Sequence, residues 1–313
     1  MALILFALNF AALLQSIPSA PRTTGIAGSE NGGTPPLLIV GAGVLGRLIA
    51  QEWHEVHGAD AVVRGVVRRA DAERNAVLEA DGVVPCLRAD LGSADAGLAE
   101  GSFQHVVFCA APGGNEDYSA EVAAALRMWC GSAGRFVFTS SAGVFAEEDG
   151  GVVTEDSAVS DTPRAAKLLA AERLVTEAGG CVVRLAGLYL LERGAHNAYL
   201  KMEAVQGRAD GLINQVHYAD AAAAAVAALL RGGSGETYVA ADDAPLTREQ
   251  ICNVARLAPP FRERAVPTFA AFDGADKGGA GKGKIVDSSR TRAAIGWWPR
   301  YSTFADFIRC ETP

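Results

Sequence analysis

The chain lacks the features of several common protein classes. Its six cysteines, Cys86, Cys109, Cys130, Cys181, Cys252 and Cys310, contain no C-x-x-C pair, and only Cys109 has a histidine close by, His105 in the same apolar run, so neither a zinc site nor a redox dithiol is expected and no metal is assigned. Cys86, Cys109 and Cys181 fall in or beside apolar strand-like runs, where cysteine acts as a small buried hydrophobe. Reduced thiols are expected, although an even count permits disulfides in an oxidising compartment. A basic surplus is also missing. With 28 Lys and Arg against 36 Asp and Glu, a net charge of −8 and a pI near 5.2, no face is available to release counterions from a phosphate backbone. Nucleic acid is therefore not an expected partner. No apolar run is long enough to span a bilayer comfortably. Ala2 to Leu14, uncharged and apolar except for Asn9, has the length of a signal-peptide h-region. It lacks a Lys or Arg in its n-region, and the small-residue segment Ser16 to Ala20 offers no clean A-x-A.

What remains is an ordinary globular composition. The 313 residues are 50% hydrophobic and 20% charged, enough to bury one large core or two smaller ones. Residues 1–20 read as a signal-like segment. Residues 21–36, rich in Gly, Ser, Thr and Pro with one Arg and one Glu, read as a transit-like linker that cannot build a core.

The glycines carry the first positive signal. Leu37 to Gly41 looks like a buried strand, and Gly41, Gly43 and Gly46 follow at the spacing G-x-G-x-x-G before a helical pattern of Leu45, Leu48, Ile49, Trp53 and Val56 that Gly58 stops. In a chain with 35 glycines the triplet alone would be turn punctuation. The strand before it, the amphipathic helix after it and a second strand at Ala61 to Val67 make it a dinucleotide site. Gly41 permits the tight turn, Gly43 lets a pyrophosphate approach the backbone, and Gly46 lets helix and strand pack closely. Val44 and Leu45 open the helix, where free N–H groups and the dipole meet phosphate.

The second strand ends in Arg68-Arg69, with Arg68 lying 22 residues beyond Gly46. At that strand tip a carboxylate takes the 2′-hydroxyl of NAD, whereas an arginine accommodates the 2′-phosphate of NADP. NADP(H) is expected over NAD(H). A solvated strand end is the plain alternative, and Asp71 remains as an acidic partner that would favour NAD. Val83 to Leu87 is the third strand, running into Asp90 and Leu91 at its carboxyl end. His105 to Ala111 follows, and Ala110, Ala111 and Pro112 turn backbone toward the cofactor. A helix is expected over Glu116 to Gly131, with Val122, Leu126 and Trp129 on one face, then a strand at Arg135 to Thr139 that delivers Ser140 and Ser141 to the same edge. Alternating strands and helices imply an α/β fold, a Rossmann doubly wound parallel sheet. Residues 37–185 would form the NAD(P)-binding domain and 186–313 a smaller, interleaved C-terminal α/β substrate-binding part, with a small-molecule substrate between them.

The ordered blocks GAGVLGR, RADL, VVFCAAPGG, FTSSAGVF, VVRLAGLY and VHYADAA resemble the extended short-chain dehydrogenase/reductase family, also called the NAD-dependent epimerase/dehydratase family. GETYVAADDAPLTREQI and IGWWPRYSTFADFI look like its C-terminal part, so the resemblance runs from Leu37 to Ile308. It is strongest to a plant and algal plastid branch that shares GVLGRL, FTSS and CVVRLAGLY. The resemblance implies a tyrosine four residues before a lysine on the helix after the fifth strand, with a serine beside it, exchanging a proton while nicotinamide exchanges a hydride. Ser141 occupies the serine place and Lys167 the lysine place, but Pro163 stands where the tyrosine would be. No tyrosine lies between Tyr118 and Tyr189.

Three readings follow from that absence. Pro163 suits a helix N1 position behind an N-cap Thr162, and Lys167 is then only a solvated helix residue. Alternatively Lys167 still holds the nicotinamide ribose while Tyr118, Tyr189 or a substrate group supplies the proton. In the last, the chain binds NADP(H) without turnover, as a scaffold or regulator.

The family also places substrate-facing residues where Arg193, His196 and Asn197 stand, although a lone histidine is more often structural. Asp220, in the segment His217 to Asp220, is expected to cap the alanine-rich helix through Arg231. Gly278 to Lys284 spells G-x-x-x-x-G-K, yet Ile285 replaces the required Ser or Thr, so a flexible loop is expected there instead of a phosphate loop. A plastid is the expected compartment, with secretion and cytoplasm as rivals, and a homodimer is an allowed assembly.

Overall fold

Leu37, Leu38, Ile39 and Val40 are all buried, which is what a parallel strand covered on both faces requires. They form β1 (Leu37–Val40), an interior strand of a seven-stranded sheet. The computed structural model describes residues 34–113, 117–131, 134–270 and 281–311. The expected signal-like and transit-like segments lie almost wholly outside the described residues.

The other strands are β2 (Val63–Val67), β3 (Val83–Leu87), β4 (His105–Phe108), β5 (Phe136–Ser141), β6 (Cys181–Leu185) and β7 (Thr237–Ala240). Their order across the sheet is β7-β6-β5-β4-β1-β2-β3, with every pairing parallel. The chain therefore winds outward from β1 to β3, returns to place β4 on the other side of β1, and winds outward again. The reversal between β1 and β4 is the point where sheets of this kind open a crevice.

Side-chain alternation divides the core. Leu38, Val40, Val106, Phe108, Phe136 and Phe138 pack against the helices Tyr118–Met128 and Pro163–Glu177. The opposite face is covered by α1 (Val44–His57) and an alanine-rich helix, Tyr218–Arg231, which pack against each other. In chain order the helices are α1, α2 (Ala72–Ala80), α3 (Tyr118–Met128), α4 (Pro163–Glu177), α5 (Ala195–Tyr199), α6 (Tyr218–Arg231), α7 (Arg248–Ala255), α8 (Ser289–Ile295) and α9 (Phe304–Cys310). Helix α3 is shorter than its periodicity suggests. Asp117 caps it by accepting from the Ala120 N–H at 2.8 Å, and Trp129 leaves it in an extended conformation.

The division at residue 185 is not how the sheet is built. β7 and α6 both come from the later part of the chain, one completing the sheet and the other covering it, and Thr34–Pro313 forms one compact unit. A second cluster, around Tyr189, Ile251, Phe261, Tyr301, Phe304 and Phe307, forms the core of the C-terminal part.

Asp220 joins the two. The sequence suggests a cap for α6, but His217 does that: its Nδ1 accepts the Ala219 N–H at 3.2 Å, and burial pushes its pKa down to about 3, keeping the ring neutral. The Asp220 carboxylate instead accepts the N–H groups of Arg300 at 2.8 Å and Tyr301 at 3.2 Å. Its backbone carbonyl takes the Trp297 indole N–H at 3.0 Å, and Arg300 pairs with Glu52 of α1.

Asp242 follows β7 and is only 4% exposed. Burial pushes its carboxyl up to about 8. A proton held in the folded but not the unfolded chain stabilises fully at low pH and is lost as pH rises through the folded value. Between pH 6.5 and 8 the histidines with lowered pKa no longer contribute, so stability is expected to fall by up to about 1.4 kcal/mol per pH unit. Asp242→Asn should remove that slope in urea melts, and an unchanged slope would show that Asp242 does not hold the proton.

Candidate functional site

A cleft of about 690 Å³ opens at the carboxyl ends of β1, β2, β4, β5 and β6. Its floor is the bend after β1. Gly41 has φ +101, a conformation that favours glycine, and a Cβ there would stand 2.4 Å from the Ala110 nitrogen. A Cβ at Gly46 would stand 2.7 Å from the Gly41 carbonyl oxygen and 3.0 Å from Ile39 Cγ2, so the bare glycine sets the close approach of α1 to β1. Gly43 differs from both: a Cβ there would meet nothing within 4 Å. Gly43 opens α1 with no side-chain cap, so the first N–H groups of the helix are left for a ligand. Space beside Gly43 together with uncapped N–H donors fits a pyrophosphate. Val44 and Leu45 line the cleft with Gly41 and Gly43, while Gly46 acts from behind it.

The loop after β4 forms the opposite wall through Ala110, Ala111 and Pro112. Three contacts fix it. Cys109 Sγ approaches the Gly41 carbonyl at 3.2 Å, the Tyr118 hydroxyl donates to the Ala110 carbonyl at 2.8 Å, and Lys167 Nζ donates to the Pro112 carbonyl at 3.4 Å.

Arg68 lines the cleft and reaches across it, donating to the carbonyls of Ala111 at 3.2 Å and Gly113 at 3.1 Å. Arg74 and Arg88 line it too. Sequence reading did not single out either one: Arg74 is signalled only by its place in the first turn of α2, and Arg88 by following β3. Asp71, the acidic alternative, caps α2 by accepting the Arg74 N–H at 2.8 Å, so its carboxylate serves the helix. Other expected contacts stand apart from the lining. Arg69 is exposed beyond the strand tip, Asp90 sits in a short turn of helix, and Leu91 packs against the core instead of a ligand.

Ser141 lines the cleft and accepts the Gly143 N–H at 3.1 Å, which leaves its own proton for another acceptor. Ser140, one residue back on the other face of β5, donates to Glu172 at 2.5 Å. Pro163 is the first residue of α4, behind Thr162, which accepts the Ala165 N–H at 3.3 Å. Lys167, one turn later, is directed at Pro112 and stands 5.9 Å over the Tyr118 ring, which places it behind the loop after β4. It is not merely a solvated residue.

The tyrosines divide clearly. Burial raises the pKa of Tyr118, whose hydroxyl is already bound to Ala110. Tyr189 is fully buried in the aromatic cluster of the C-terminal part, in edge contact with Phe304 and Phe307, and does not reach the cleft. Tyr218, at the first position of α6, does line it. Sequence reading treated that residue only as part of a structural motif.

Of the three residues expected to face substrate, Arg193 alone lines this cleft. His196 is fully buried, hydrogen-bonded through Nε2 to the Leu191 carbonyl at 2.8 Å and packed between Phe261 and Phe304. Burial lowers its pKa, so it is a neutral core group. Asn197 faces a separate hollow of about 210 Å³. The segment that resembles a phosphate loop lies partly outside the described residues. Its end, Gly283–Val286, pairs with Asp149–Val153 as a short strand, and Lys284 Nζ donates to the Phe145 carbonyl. Among the described residues no helix is long and apolar enough to cross a membrane.

No protein-family model matches the sequence, and comparison with curated proteins gives no match either. Solved structures do match. A functionally unknown conserved protein from Silicibacter pomeroyi superposes with a TM-score of 0.69 at 21% identity, covering 89% of this chain and 98% of that one. UDP-glucuronic acid 4-epimerase from Bacillus cereus, in complex with NAD, gives 0.68 at 16% identity, covering 88% and 94%. The enzyme WbmG from Bordetella bronchiseptica, also in complex with NAD, gives 0.65 at 19% identity, covering 90% and 94%. The chain has the Rossmann-type fold of these structures.

Proposed function

We propose that this chain, which has the epimerase fold, is an extended short-chain dehydrogenase/reductase. In this reading it binds NADP(H) in preference to NAD(H) and acts as an oxidoreductase or epimerase on a small metabolite, without the usual helix tyrosine. The observation that carries the proposal is the bend at the reversal between β1 and β4, where the space beside Gly43 adjoins an uncapped helix start. A nicotinamide dinucleotide bound there supplies hydride exchange. Arg68 and Arg74, at the tip of β2 and the start of α2, supply the cations that favour a 2′-phosphate. Ser141 and Tyr218 are the hydroxyl groups placed to hand a proton to substrate. The leader-like N-terminus supports a plastid as the setting.

Calorimetric titration of the purified protein with NADP+ and NAD+ tests the first step. Saturable binding with NADP+ the tighter ligand is expected, and no heat from either dinucleotide at millimolar concentration would overturn it. Arg68→Ala should weaken NADP+ by about tenfold, or 1.4 kcal/mol, while changing NAD+ affinity much less. Equal losses for both would mean that Arg68 only braces the loop it touches.

Pro163 favours a second reading, in which the chain binds the dinucleotide without turning it over. Oxidation of NADPH across a metabolite panel separates the two. Turnover that falls in Ser141→Ala at unchanged NADPH affinity supports the enzyme, and binding with no turnover supports the scaffold.

A further inference from the structure

We infer that the substrate is an acid, carrying a carboxylate or phosphate that Arg164 and Arg193 hold at the end of the cleft opposite Arg68. The inference rests on the dinucleotide reading only in that the coenzyme fills the remainder of the cleft.

The sheet order fixes the two ends. From Arg68 after β2, the lining passes Gly43 after β1, Ala110 after β4, Ser141 at the end of β5 and Ala186 after β6, and then reaches Leu188, Arg193 and Tyr218. Arg164 enters from the first turn of α4. Phosphates of a dinucleotide belong at the glycine bend and the tip of β2, which leaves these two guanidinium groups without a role in binding it.

Their lack of partners is informative. The protein carries a net charge of −8, and its arginines are commonly paired: Arg47 with Asp81, Arg184 with Glu172, Arg292 with Asp243, Arg300 with Glu52. Arg164 and Arg193 have neither an ion pair nor a side-chain hydrogen bond among the described residues. Among the described residues the one carboxylate lining the cleft, Glu121, pairs with Arg88 at 3.4 Å near its other end. Five arginines and one glutamate among the described residues therefore line a cleft in an acidic protein. A guanidinium offers a planar fork of donors that matches carboxylate and phosphate oxygens, and the hydroxyls of Ser141 and Tyr218 share the same wall.

The test uses the full chain saturated with NADP+ and titrated by calorimetry, at constant ionic strength, with inorganic phosphate and separately with acetate. Saturable millimolar binding of at least one anion is expected, weakened at least tenfold in Arg164→Ala and in Arg193→Ala, partly restored in Arg193→Lys, and unchanged in the distant surface variant Arg127→Ala. NADP+ affinity should stay within about twofold in all of them. Preference for phosphate identifies a phosphorylated substrate, and preference for acetate identifies a carboxylic acid. Anion affinity that is equal in wild type and variants, absence of saturable binding, or displacement of the anion by NADP+ would overturn the assignment. Saturable anion binding at Arg164 and Arg193 without any uptake of NADP+ would leave it standing and sink the coenzyme reading instead.

Discussion

Gly43→Val is expected to leave the protein folded and unable to hold a dinucleotide, whereas Gly41→Ala is expected to damage the fold itself. The two glycines stand two residues apart but face different surroundings. At Gly43 the backbone is at φ −87, open to any residue, and no atom lies within 4 Å of an added Cβ. Valine there should change stability by no more than about 1 kcal/mol while filling the space a pyrophosphate would take. A loss of at least about 100-fold in NADP+ affinity, near 2.7 kcal/mol, is expected. At Gly41 an alanine would combine φ +101 with a Cβ 2.4 Å from the Ala110 nitrogen, which is backbone and cannot step aside. Strain and overpacking together cost roughly 2–5 kcal/mol. Urea unfolding and calorimetry on the same two proteins read both effects. Undiminished NADP+ affinity in Gly43→Val would mean that no phosphate sits at the bend.

The second large effect is expected under the cleft. Glu172 on α4 and Arg184 on β6 are 5% and 7% exposed and meet at 2.7 Å. Ser140 donates to the same carboxylate at 2.5 Å, Arg184 donates to the Glu155 carbonyl at 3.3 Å, and its guanidinium lies 5.0 Å over the Phe145 ring. Removing one partner strands the other charge in the interior. Glu172→Ala and Arg184→Ala should each lose roughly 3–5 kcal/mol. The double replacement Glu172→Leu with Arg184→Met should recover much of that, because no lone charge remains. Urea unfolding of the three proteins decides the matter: single losses below about 1 kcal/mol would show that water reaches the pair. Since Ser140 precedes Ser141, loosening this pair should also disturb the cleft wall.

Much of the fold is legible in the chain because parallel strands buried on both faces write themselves as unbroken apolar runs. LLIV, HVVF and CVVRL are read directly, and the glycine bend is legible because its spacing is local. Contacts that join distant segments are harder to read. Asp220 looks like a helix cap because it opens an alanine-rich run, yet its acceptors are satisfied by Arg300 and Tyr301, some eighty residues later. Arg193, His196 and Asn197 look equivalent in sequence, but the turn at Leu190 to Arg193 and the short helix α5 send one to the cleft, one to the core and one to another hollow. Arg74 carries no motif at all. It reaches the cleft because Asp71 caps α2 and so fixes the direction of its first turn. Tyr218 is hidden for a similar reason, since only the parallel pairing of Gln215–His217 with Gly187–Tyr189 brings the start of α6 to the cleft.

The bond from Asp220 to Arg300 and Tyr301 has a consequence for how the protein is made. Asp220 is synthesised some eighty residues before Arg300 and Tyr301, so its carboxylate has no partner until that later segment has left the ribosome. A stop codon at Trp297 would remove Arg300 and Tyr301, the partners of Asp220, together with Phe304 and Phe307 of the C-terminal aromatic cluster. A nascent chain halted there would keep its glycine bend and all seven strands of the sheet, with the Asp220 carboxylate left unmatched.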